Sequence, residues 1–365
     1  MSKSKTYYIK TYGCQLNQAD SERITTAFEK KGYSLVEKIE EADLVIINSC
    51  VVRESAENRV YGLIQKCRMI NDKCQIILTG CLAGWALRDK TKKNLKILKE
   101  KTKNRAKIIL FEDLADFEIK PKRPAEKTVT AYIPISNGCN HFCSYCIVPY
   151  ARGRERYRTV KEIVNEVTCT MKQGFSEFML LGQNVNAWKA EASSVRQLTK
   201  FAAEIKTFPQ LLERIARIKG VKKITFISAN PWDFSEELIK VVAGHDNISK
   251  EIHLPVQSGS DKILKLMNRG YTAADYLNLI KRIKKRIPEA ELTTDILIGF
   301  PGETEKDFQK TIELCRRVKF KLAFLNKYSS RPGTAAAKKF QDNIPQKEKK
   351  RRWQVLEELI NSGLT

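Results

Sequence analysis

The chain begins with short apolar runs that alternate with stretches in which apolar residues recur at helical spacing. The apolar runs of this first half are residues 7–9, 44–47 and 76–78, and the helical stretches are residues 20–31 and 55–68. Such alternation is typical of parallel strands joined by helices. We therefore predict a small open parallel α/β sheet at the amino-terminal end.

A second series of strands and helices follows. Six apolar runs precede or alternate with helical stretches, at residues 131–135, 178–181, 223–227, 251–254, 292–298 and 323–325. They predict a parallel barrel or part of one, in which active sites lie at the carboxyl ends of the strands. The polar, proline-interrupted segment 121–127 reads as a linker, so we expect domains at 1–120 and 128–360.

The composition of the chain predicts its cellular compartment and the class of its binding partner. The first residues lack an apolar signal region and no long apolar span follows, so we expect a cytoplasmic chain, with no membrane contact, whose cysteines stay reduced. Lys and Arg number 66 against 42 Asp and Glu, a formal net charge of +24. This excess favours nucleic acid as the partner, although the basic runs 99–105, 281–286 and 347–352 are each more typical of solvated helix faces.

Three cysteines follow the first barrel strand in a C-x3-C-x2-C pattern: Cys139, Cys143 and Cys146. A cubane iron–sulfur cluster is commonly held by four thiolates, so three leave one iron open, as catalysis requires. Gly138 permits the sharp turn that aims the three side chains at one point. A partial zinc site is the alternative, but zinc sites favour paired C-x2-C spacings with a distant matching pair.

Three more cysteines each follow a predicted strand of the amino-terminal sheet: Cys14, Cys50 and Cys81. Because parallel strands end at one edge of a sheet, these thiols could meet at a second cluster that is again one ligand short. Ordinary buried cysteines are an equally good interpretation from spacing alone. The other cysteines, Cys67, Cys74, Cys169 and Cys315, lack this placement.

Polar loops follow several of the barrel strands and could bind the ribose, carboxylate or adenine of a cofactor. The candidate residues are Gly182, Gln183, Asn184, Ser228, Gln257, Ser258, Gly299 and Phe300. Capped βα turns are the alternative interpretation. Thr304 and Asp307 fit a helix-capping pair and are left out of the site.

Arginines occupy every second position after the cysteine motif: Arg152, Arg154, Arg156 and Arg158. In an extended backbone they would share one face and suit contacts with phosphate. Pairing with local acids such as Glu155 is the alternative for one or two of them. We take Arg152, Arg154 and Arg156, together with Arg331 in a polar turn, as candidate RNA contacts.

Several of these segments together carry a family resemblance. Residues 13–17, 20–22, 48–50, 80–81, 138–146, 149–156 and 182–186 resemble the radical S-adenosylmethionine (SAM) methylthiotransferases. Residues 254–260, 267–272 and 328–334 narrow the resemblance to the MiaB type. The matching segments run from Lys10 to about Arg352. The resemblance implies a radical-SAM partial (β/α)6 barrel after the amino-terminal domain.

The resemblance also implies the activity and its cofactors. The reaction would be 2-methylthiolation of N6-isopentenyladenosine at position 37 of tRNA, with two [4Fe-4S] clusters and SAM. Cys139, Cys143 and Cys146 would hold the cluster whose reduction cleaves SAM to a 5′-deoxyadenosyl radical. Cys14, Cys50 and Cys81 would hold an auxiliary cluster that carries the sulfur. An electron donor such as flavodoxin or ferredoxin would be needed, and we expect a monomer.

Members of this family usually continue into a small RNA-binding β-barrel called TRAM, which this sequence lacks. Two other functions stay open at this stage. A sister enzyme would act on threonylcarbamoyladenosine in tRNA or on an aspartate of a ribosomal protein, although Gln15-Leu16-Asn17 and residues 254–257 favour the MiaB type. A non-catalytic iron–sulfur protein that binds RNA or transfers electrons would need no SAM pocket.

Overall fold

The chain divides into two compact units, each built from strands and helices. A computed structural model describes residues 5–52, 54–116, 119–123, 130–190 and 205–362. The first unit comprises Met1–Asn140 and Ile147–Phe175, and the second comprises His141–Cys146 and Ser176–Thr365. Within the described ranges, no helix is both long and apolar enough to cross a membrane.

The first unit contains a parallel sheet of five strands. They are β1 (Thr6–Tyr12), β2 (Ser34–Leu35), β3 (Leu44–Ser49), β4 (Gln75–Gly80) and β5 (Lys107–Ile108), in the order β2-β1-β3-β4-β5. Every residue of β3 is buried, as expected for a central strand covered on both faces. Its register pairs Asn48 with Thr11 on one side and with Thr79 on the other. The strands therefore end at a common edge.

Helices cover both faces of this sheet. They are α1 (Gln15–Lys30), α2 (Glu54–Ile70), α3 (Cys81–Leu87), α4 (Lys93–Lys101) and α5 (Phe111–Leu114). Ile46 of β3 packs with Ile24 and Phe28 of α1. On the other face, Val45 and Ile47 pack with Val60 of α2 and Leu82 of α3. The alternation of β3 side chains thus builds two apolar layers around one strand.

The first unit also includes elements that follow the predicted linker. They are β6 (Thr130–Pro134), β7 (Ser136–Asn137), α6 (Val148–Ala151), β8 (Arg156–Tyr157) and α7 (Val160–Met171). Strands β7 and β8 pair antiparallel. The linker 121–127 falls within this unit, and its residues 124–127 lie outside the described ranges. The domain boundary that we placed there stays a prediction.

A buried carboxylate joins four parts of the first unit. Glu166 of α7 binds Arg23 of α1 at 2.7 Å, Arg123 of the linker at 2.8 Å and Arg158 at 2.6 Å. Glu166 is 1% exposed, and burial by itself would raise the pKa of its carboxyl. The charges of Arg23, Arg158 and Arg123 outweigh burial, so that pKa lies below its usual range.

The described residues of the second unit form five parallel strands. They are β9 (Glu177–Leu181), β10 (Lys223–Phe226), β11 (Glu251–His253), β12 (Glu291–Ile298) and β13 (Leu322–Lys327). Strand β9 pairs with β10, and β12 pairs with β11 and β13. A parallel bridge from Ile224 to Ile248 continues the series from β10 towards β11.

Helices of the second unit separate or follow these strands. They are α8 (Phe208–Ala216), α9 (Glu236–Gly244), α10 (Asp261–Leu266), α11 (Ala273–Arg286), α12 (Glu305–Val318), α13 (Ala335–Lys339) and α14 (Gln346–Ile360). The predicted capping pair is confirmed, since Thr304 and Asp307 close a capping box at the start of α12. The basic run 347–352 is not a uniformly solvated face, because Lys349 and Arg352 are buried.

The α/β fold with parallel sheets is confirmed, and each predicted strand is present with bounds shifted by a few residues. The four short strands β2, β5, β7 and β8 escaped sequence analysis, because two-residue pairings carry too little apolar pattern to detect.

Replacing Glu166 by Gln should destabilise the first unit by roughly 3–5 kcal/mol, because three buried guanidinium groups would lose their common carboxylate. Urea unfolding followed by circular dichroism measures this change. The matched control is Glu213→Gln, which breaks partly exposed contacts with Arg217 and His245 and should change stability by less than about 1 kcal/mol. Equal effects of the two substitutions would contradict the assigned role of Glu166.

The same substitution has a pH signature. An unfolded glutamate titrates near pH 4.3, and the folded pKa of Glu166 lies lower. Its stabilising contribution is therefore complete above the unfolded value and is lost as the pH falls through the folded value. The stability difference between wild type and Glu166→Gln should be constant near neutral pH and shrink below about pH 4. A difference that grows on acidification would reverse the assigned sign.

Candidate active site

Three cysteines meet at the carboxyl edge of the first unit's sheet. Cys14 follows β1, Cys50 follows β3, and Cys81 begins α3 directly after β4. The Cys81 thiol hydrogen-bonds with the Cys50 thiol, and Cys14 is close enough to Cys81 for their charges to interact. The structure therefore brings together the thiols that the sequence separates by more than sixty positions.

Buried amides line the same site. The Cys14 thiol donates to Asn17 Oδ1 at 3.5 Å, and Asn17 Nδ2 lies 4.0 Å from Cys81 Sγ. Asn17 also donates to Asn48 Oδ1 at 3.0 Å. Cys50 and Cys81 are buried whereas Cys14 is exposed. A group held by the three thiols would be accessible on the Cys14 side.

The donor set fits an iron–sulfur cluster. Sulfur ligands select soft metals and iron–sulfur clusters over hard cations. No set of three or more Cys, His, Asp or Glu side chains in the described ranges is arranged around a single metal ion. A cubane instead offers a separate iron to each thiolate. The Cys81 thiol is hydrogen-bonded to Cys50 and buried, and both effects raise its pKa well above the ordinary value. Metal binding at Cys81 must therefore displace a proton.

A buried guanidinium lies against Cys81. Arg152 Nε donates to Cys81 Sγ at 3.0 Å, Nη1 to Asn137 Oδ1 at 3.0 Å, and Nη2 to Asp20 Oδ2 at 2.8 Å. Arg152 is 7% exposed. Its side chain is thus bonded inside the first unit and is not presented to an RNA.

The prediction that four alternating arginines share one face is wrong. Arg152 and Arg158 are buried, whereas Arg154 and Arg156 are exposed. The reason is that Arg152 ends a short helix and Arg158 reaches Glu166, so the backbone is not extended throughout. Arg331, in the turn before α13, is half-buried. Arg154, Arg156 and Arg331 therefore stay candidates for RNA contact.

The cysteine motif begins in the first unit. Gly138 has a φ of 77°, and a Cβ added there would lie 2.3 Å from the carbonyl oxygen of Arg154. The Cys139 amide donates to the carbonyl of Gly153 at 3.3 Å. The sharp turn expected at Gly138 is therefore present, and only glycine fits it.

The remaining motif residues, His141–Cys146, belong to the second unit and are held by the segment after α10. Ser144 donates through its amide to Met267 O at 2.9 Å and through its hydroxyl to Leu266 O at 2.8 Å. Asn268 Nδ2 donates to the carbonyls of His141 and Phe142 at 3.2 and 3.1 Å. These contacts fix the backbone of the loop around Cys143.

Sequence analysis missed Arg269 as a site residue. Its Nη1 lies 3.4 Å from Cys143 Sγ, and its guanidinium stacks 4.6 Å from the ring of Trp232 and 5.2 Å from that of Tyr271. The one signal that could have identified Arg269 is its position in segment 267–272, which resembles the MiaB type. A single arginine between two helices has no spacing or periodicity that would predict a role.

The candidate cofactor loops fall into two groups. Asn184 is engaged with the protein: it donates to Asp233 at 3.1 Å and accepts from Asn230 at 2.6 Å. Ser258 is buried and accepts from the Ser260 amide at 3.2 Å. By contrast, the side chains of Gln183, Ser228 and Gln257 have no hydrogen-bond partner among the described residues.

Two of those side chains come from backbone that L-residues rarely adopt. Ser228 has a φ of 63° and Gln257 a φ of 67°. Such positive values persist where the surroundings enforce them, and they cluster at ligand sites. Ser228 O accepts from the Val185 amide at 3.2 Å, so the loops after β9 and β10 adjoin. These free polar groups fit a polar cofactor.

The loop after β12 is anchored by the last helix. A Cβ at Gly299, whose φ is 72°, would lie 2.5 Å from Lys349 Cγ of α14. The Gly299 amide donates to Glu303 Oε2 at 2.8 Å, and Arg352 pairs with the same oxygen at 2.7 Å. The Phe300 ring is buried against Tyr328 and Phe340. Only the backbone of Gly299 and Phe300 is therefore suited to face a cofactor.

Comparison with known proteins identifies the family. Residues 133–315 match the radical SAM superfamily, and residues 6–106 match the uncharacterized protein family UPF0004. A tRNA-2-methylthio-N(6)-dimethylallyladenosine synthase of Parabacteroides distasonis is 39% identical over 379 residues, covering 99% of this chain and 81% of the relative. The synthase of Thermotoga petrophila is 40% identical over 366 residues, covering 96% and 80%. The chain belongs to the radical SAM methylthiotransferase family, MiaB type.

Solved structures agree with this family's fold. The radical SAM methyltransferase TsrM of Kitasatospora setae aligns with a TM-score of 0.62 at 14% identity, covering 92% of this methylthiotransferase-family chain and 75% of TsrM. The cobalamin-dependent SAM radical enzyme OxsB aligns with a TM-score of 0.57 at 12% identity, covering 98% and 56%. At these identities the likeness concerns the fold alone.

Gly84→Ala should disturb the site formed by Cys14, Cys50 and Cys81 in this methylthiotransferase. A Cβ at Gly84 of α3 would lie 2.0 Å from the Ala151 carbonyl oxygen, so α3, which begins with Cys81, must move away from α6. We expect a loss of about 1–3 kcal/mol, typical of overpacking, measured by urea unfolding.

The control is the same substitution in α2. A Cβ at Gly62 has no heavy atom within 4 Å, so Gly62→Ala should leave stability unchanged or raise it by up to about 1 kcal/mol. If the two variants unfold at the same urea concentration, the close approach of α3 and α6 is not a constraint on the fold.

Proposed function

We propose that this chain is a tRNA methylthiotransferase that places a methylthio group on C2 of N6-isopentenyladenosine at position 37. The observation that carries the proposal is the position of Cys14, Cys50 and Cys81 at the carboxyl ends of β1, β3 and β4, where Asn17 lies 3.5 Å from Cys14 and 4.0 Å from Cys81. Reductive cleavage of SAM needs only the cluster of the C-x3-C-x2-C loop. A second thiol triplet supplies what methylthiolation adds, a place to hold the sulfur that is transferred.

The proposed residue roles divide between the two sets of cysteines. Cys139, Cys143 and Cys146 hold one [4Fe-4S] cluster with SAM, and Cys14, Cys50 and Cys81 hold the auxiliary cluster. When bound, these groups supply radical cleavage of SAM and the sulfur to be methylated. Asn268 and Arg269 fix the loop that carries Cys143. Gln183, Ser228 and Gln257 offer the free polar groups that suit SAM.

The proposed surroundings of the reaction follow from its chemistry. The domains would be 1–120 for the auxiliary cluster and 128–360 for the radical SAM core. Cleavage of SAM requires an electron, for which a low-potential protein such as flavodoxin or ferredoxin is suited. The net charge of +24 supports binding of tRNA. We place the protein in the cytoplasm as a monomer, with no membrane partner.

Single cysteine substitutions should separate the two roles. Reconstituted Cys143→Ala should form no 5′-deoxyadenosine from SAM, whereas Cys50→Ala should keep cleavage but make no methylthiolated tRNA. Mass spectrometry of both products, with iron counts falling from about eight to about four in each variant, checks this. Cys169→Ala, outside both triplets, is the control. Full methylthiolation by Cys50→Ala would refute the auxiliary site.

The substrate is tested in the same assay with two tRNAs, one carrying isopentenyladenosine and one carrying threonylcarbamoyladenosine. Product from the first alone supports the proposal. Product from the second alone would establish the sister activity instead.

Binding of tRNA should weaken linearly with the logarithm of salt concentration. Arg154→Ala and Arg156→Ala each remove an exposed cation beside the cysteine loop, and each should reduce the slope by about one phosphate contact. Filter binding across a salt series measures the slope. Lys281→Ala, an exposed cation on α11, is the control. A slope unchanged in the Arg154/Arg156 double variant would remove these residues from the interface.

A further inference from the structure

One buried cation, Arg152, lies against the site formed by Cys14, Cys50 and Cys81 and has no role in the function proposed above. Its three kinds of guanidinium nitrogen each have a different acceptor: Arg152 Nε has Cys81 Sγ, Nη1 has Asn137 Oδ1, and Nη2 has Asp20 Oδ2. Arg269 also places a guanidinium nitrogen near a motif sulfur, with Nη1 at 3.4 Å from Cys143 Sγ. The contact of Arg152 is shorter.

The arginine is held rigidly, so its position cannot be an accident of a flexible surface chain. Asp20 is fully buried on α1 and pairs with Arg152 at 2.8 Å. Asn137 lies on β7, which pairs with β8. Arg152 itself ends α6, whose Ala151 is packed against Gly84 of α3. Four elements thus direct the Nε–H group at Cys81.

A salt bridge with Asp20 would not require this geometry. Arginine presents its Nε and Nη2 hydrogens along one edge, and a carboxylate can accept both in a bidentate pair. Here Nη2 donates to Asp20, whereas Nε donates to the sulfur of Cys81. The two N–H groups on this edge of Arg152 therefore donate to different residues, Asp20 and Cys81. This arrangement indicates that the contact with the sulfur is a specific feature of the site.

We propose that Arg152 is a positioning residue for the auxiliary cluster, and that its N–H···S hydrogen bond to Cys81 raises the reduction potential of that cluster. This inference rests on the proposed ligand role of Cys14, Cys50 and Cys81. A thiolate-held cluster becomes more negative when it gains an electron. A cation and a hydrogen bond at a ligand sulfur stabilise the electron-rich form more than the oxidised one, and the potential rises.

The experiment uses full-length protein in which Cys139, Cys143 and Cys146 are replaced by Ala, so that only the auxiliary cluster is present. A redox titration with a low-potential chemical reductant, followed by electron paramagnetic resonance, gives the midpoint potential. We expect the order wild-type Arg152, then Arg152→Lys, then Arg152→Gln, from highest to lowest, with about four irons retained. Lys keeps the charge but not the aimed Nε–H group.

The control is Arg158→Lys, which alters a buried arginine of the same unit that binds Glu166 rather than a cysteine. Its potential should match that of the unaltered background. Arg152→Gln with four irons and an unshifted potential overturns the proposal. An equal shift in Arg158→Lys also overturns it, because the effect would then be one of packing alone.

A second measurement needs no substitution at Arg152. With 15N-arginine incorporated, pulsed electron paramagnetic resonance of the reduced auxiliary cluster should show a weak 15N coupling, transmitted through the hydrogen bond to Cys81. Absence of that coupling overturns the proposal even if the Arg152 variants lose iron. A background protein that binds no iron at all instead overturns the cysteine assignment itself, so the two failures are distinguishable.

Discussion

The first unit depends on one buried carboxylate. Glu166 accepts from Arg23, Arg123 and Arg158, and a buried carboxylate with three cationic partners can be satisfied only if all of their elements are in place. Arg23 lies one turn beyond Asp20 on α1, and Arg158 directly follows β8. The elements that support Asp20 and Asn137 are therefore fixed by the same anion, and with them the two groups that orient Arg152.

Polar contacts of this kind position the chemistry, while apolar packing builds the scaffold. Strand β3 has apolar neighbours on both faces, yet the residues at its carboxyl end are Asn48, Ser49 and Cys50. Asn48 is fully buried and hydrogen-bonds to Asn17 and Ser21. Burial without partners would be costly for such groups, so the network around the cysteines is specified almost as tightly as the core. In the second unit, Lys349 and Arg352 of α14 hold the Gly299 loop in a similar way.

Much of the candidate site could be predicted because its signals are local or follow from one simple rule. The spacing of Cys139, Cys143 and Cys146 is contained in eight positions. Cys14, Cys50 and Cys81 each follow an apolar run, and parallel strands bring such positions to one edge. The prediction that was wrong is that alternate residues from Arg152 to Arg158 share one face. It assumes extended backbone, whereas a short helix and a buried ion pair direct Arg152 and Arg158 inward.

The sequence by itself determined the order of the longer strands, the capping box at Thr304, the sharp turn at Gly138 and the family, because each depends on neighbouring residues or on motif order. Only the tertiary structure decided that Arg152 lies on Cys81, that Arg269 lies on Cys143 and that Glu166 collects three arginines. Except for Arg158 and Glu166, which lie eight positions apart, those pairings join residues far apart in the chain, and the sequence does not say which of its 66 Lys and Arg side chains supplies each partner. Packing selects among them, since a buried charge is tolerated only where its partners already converge.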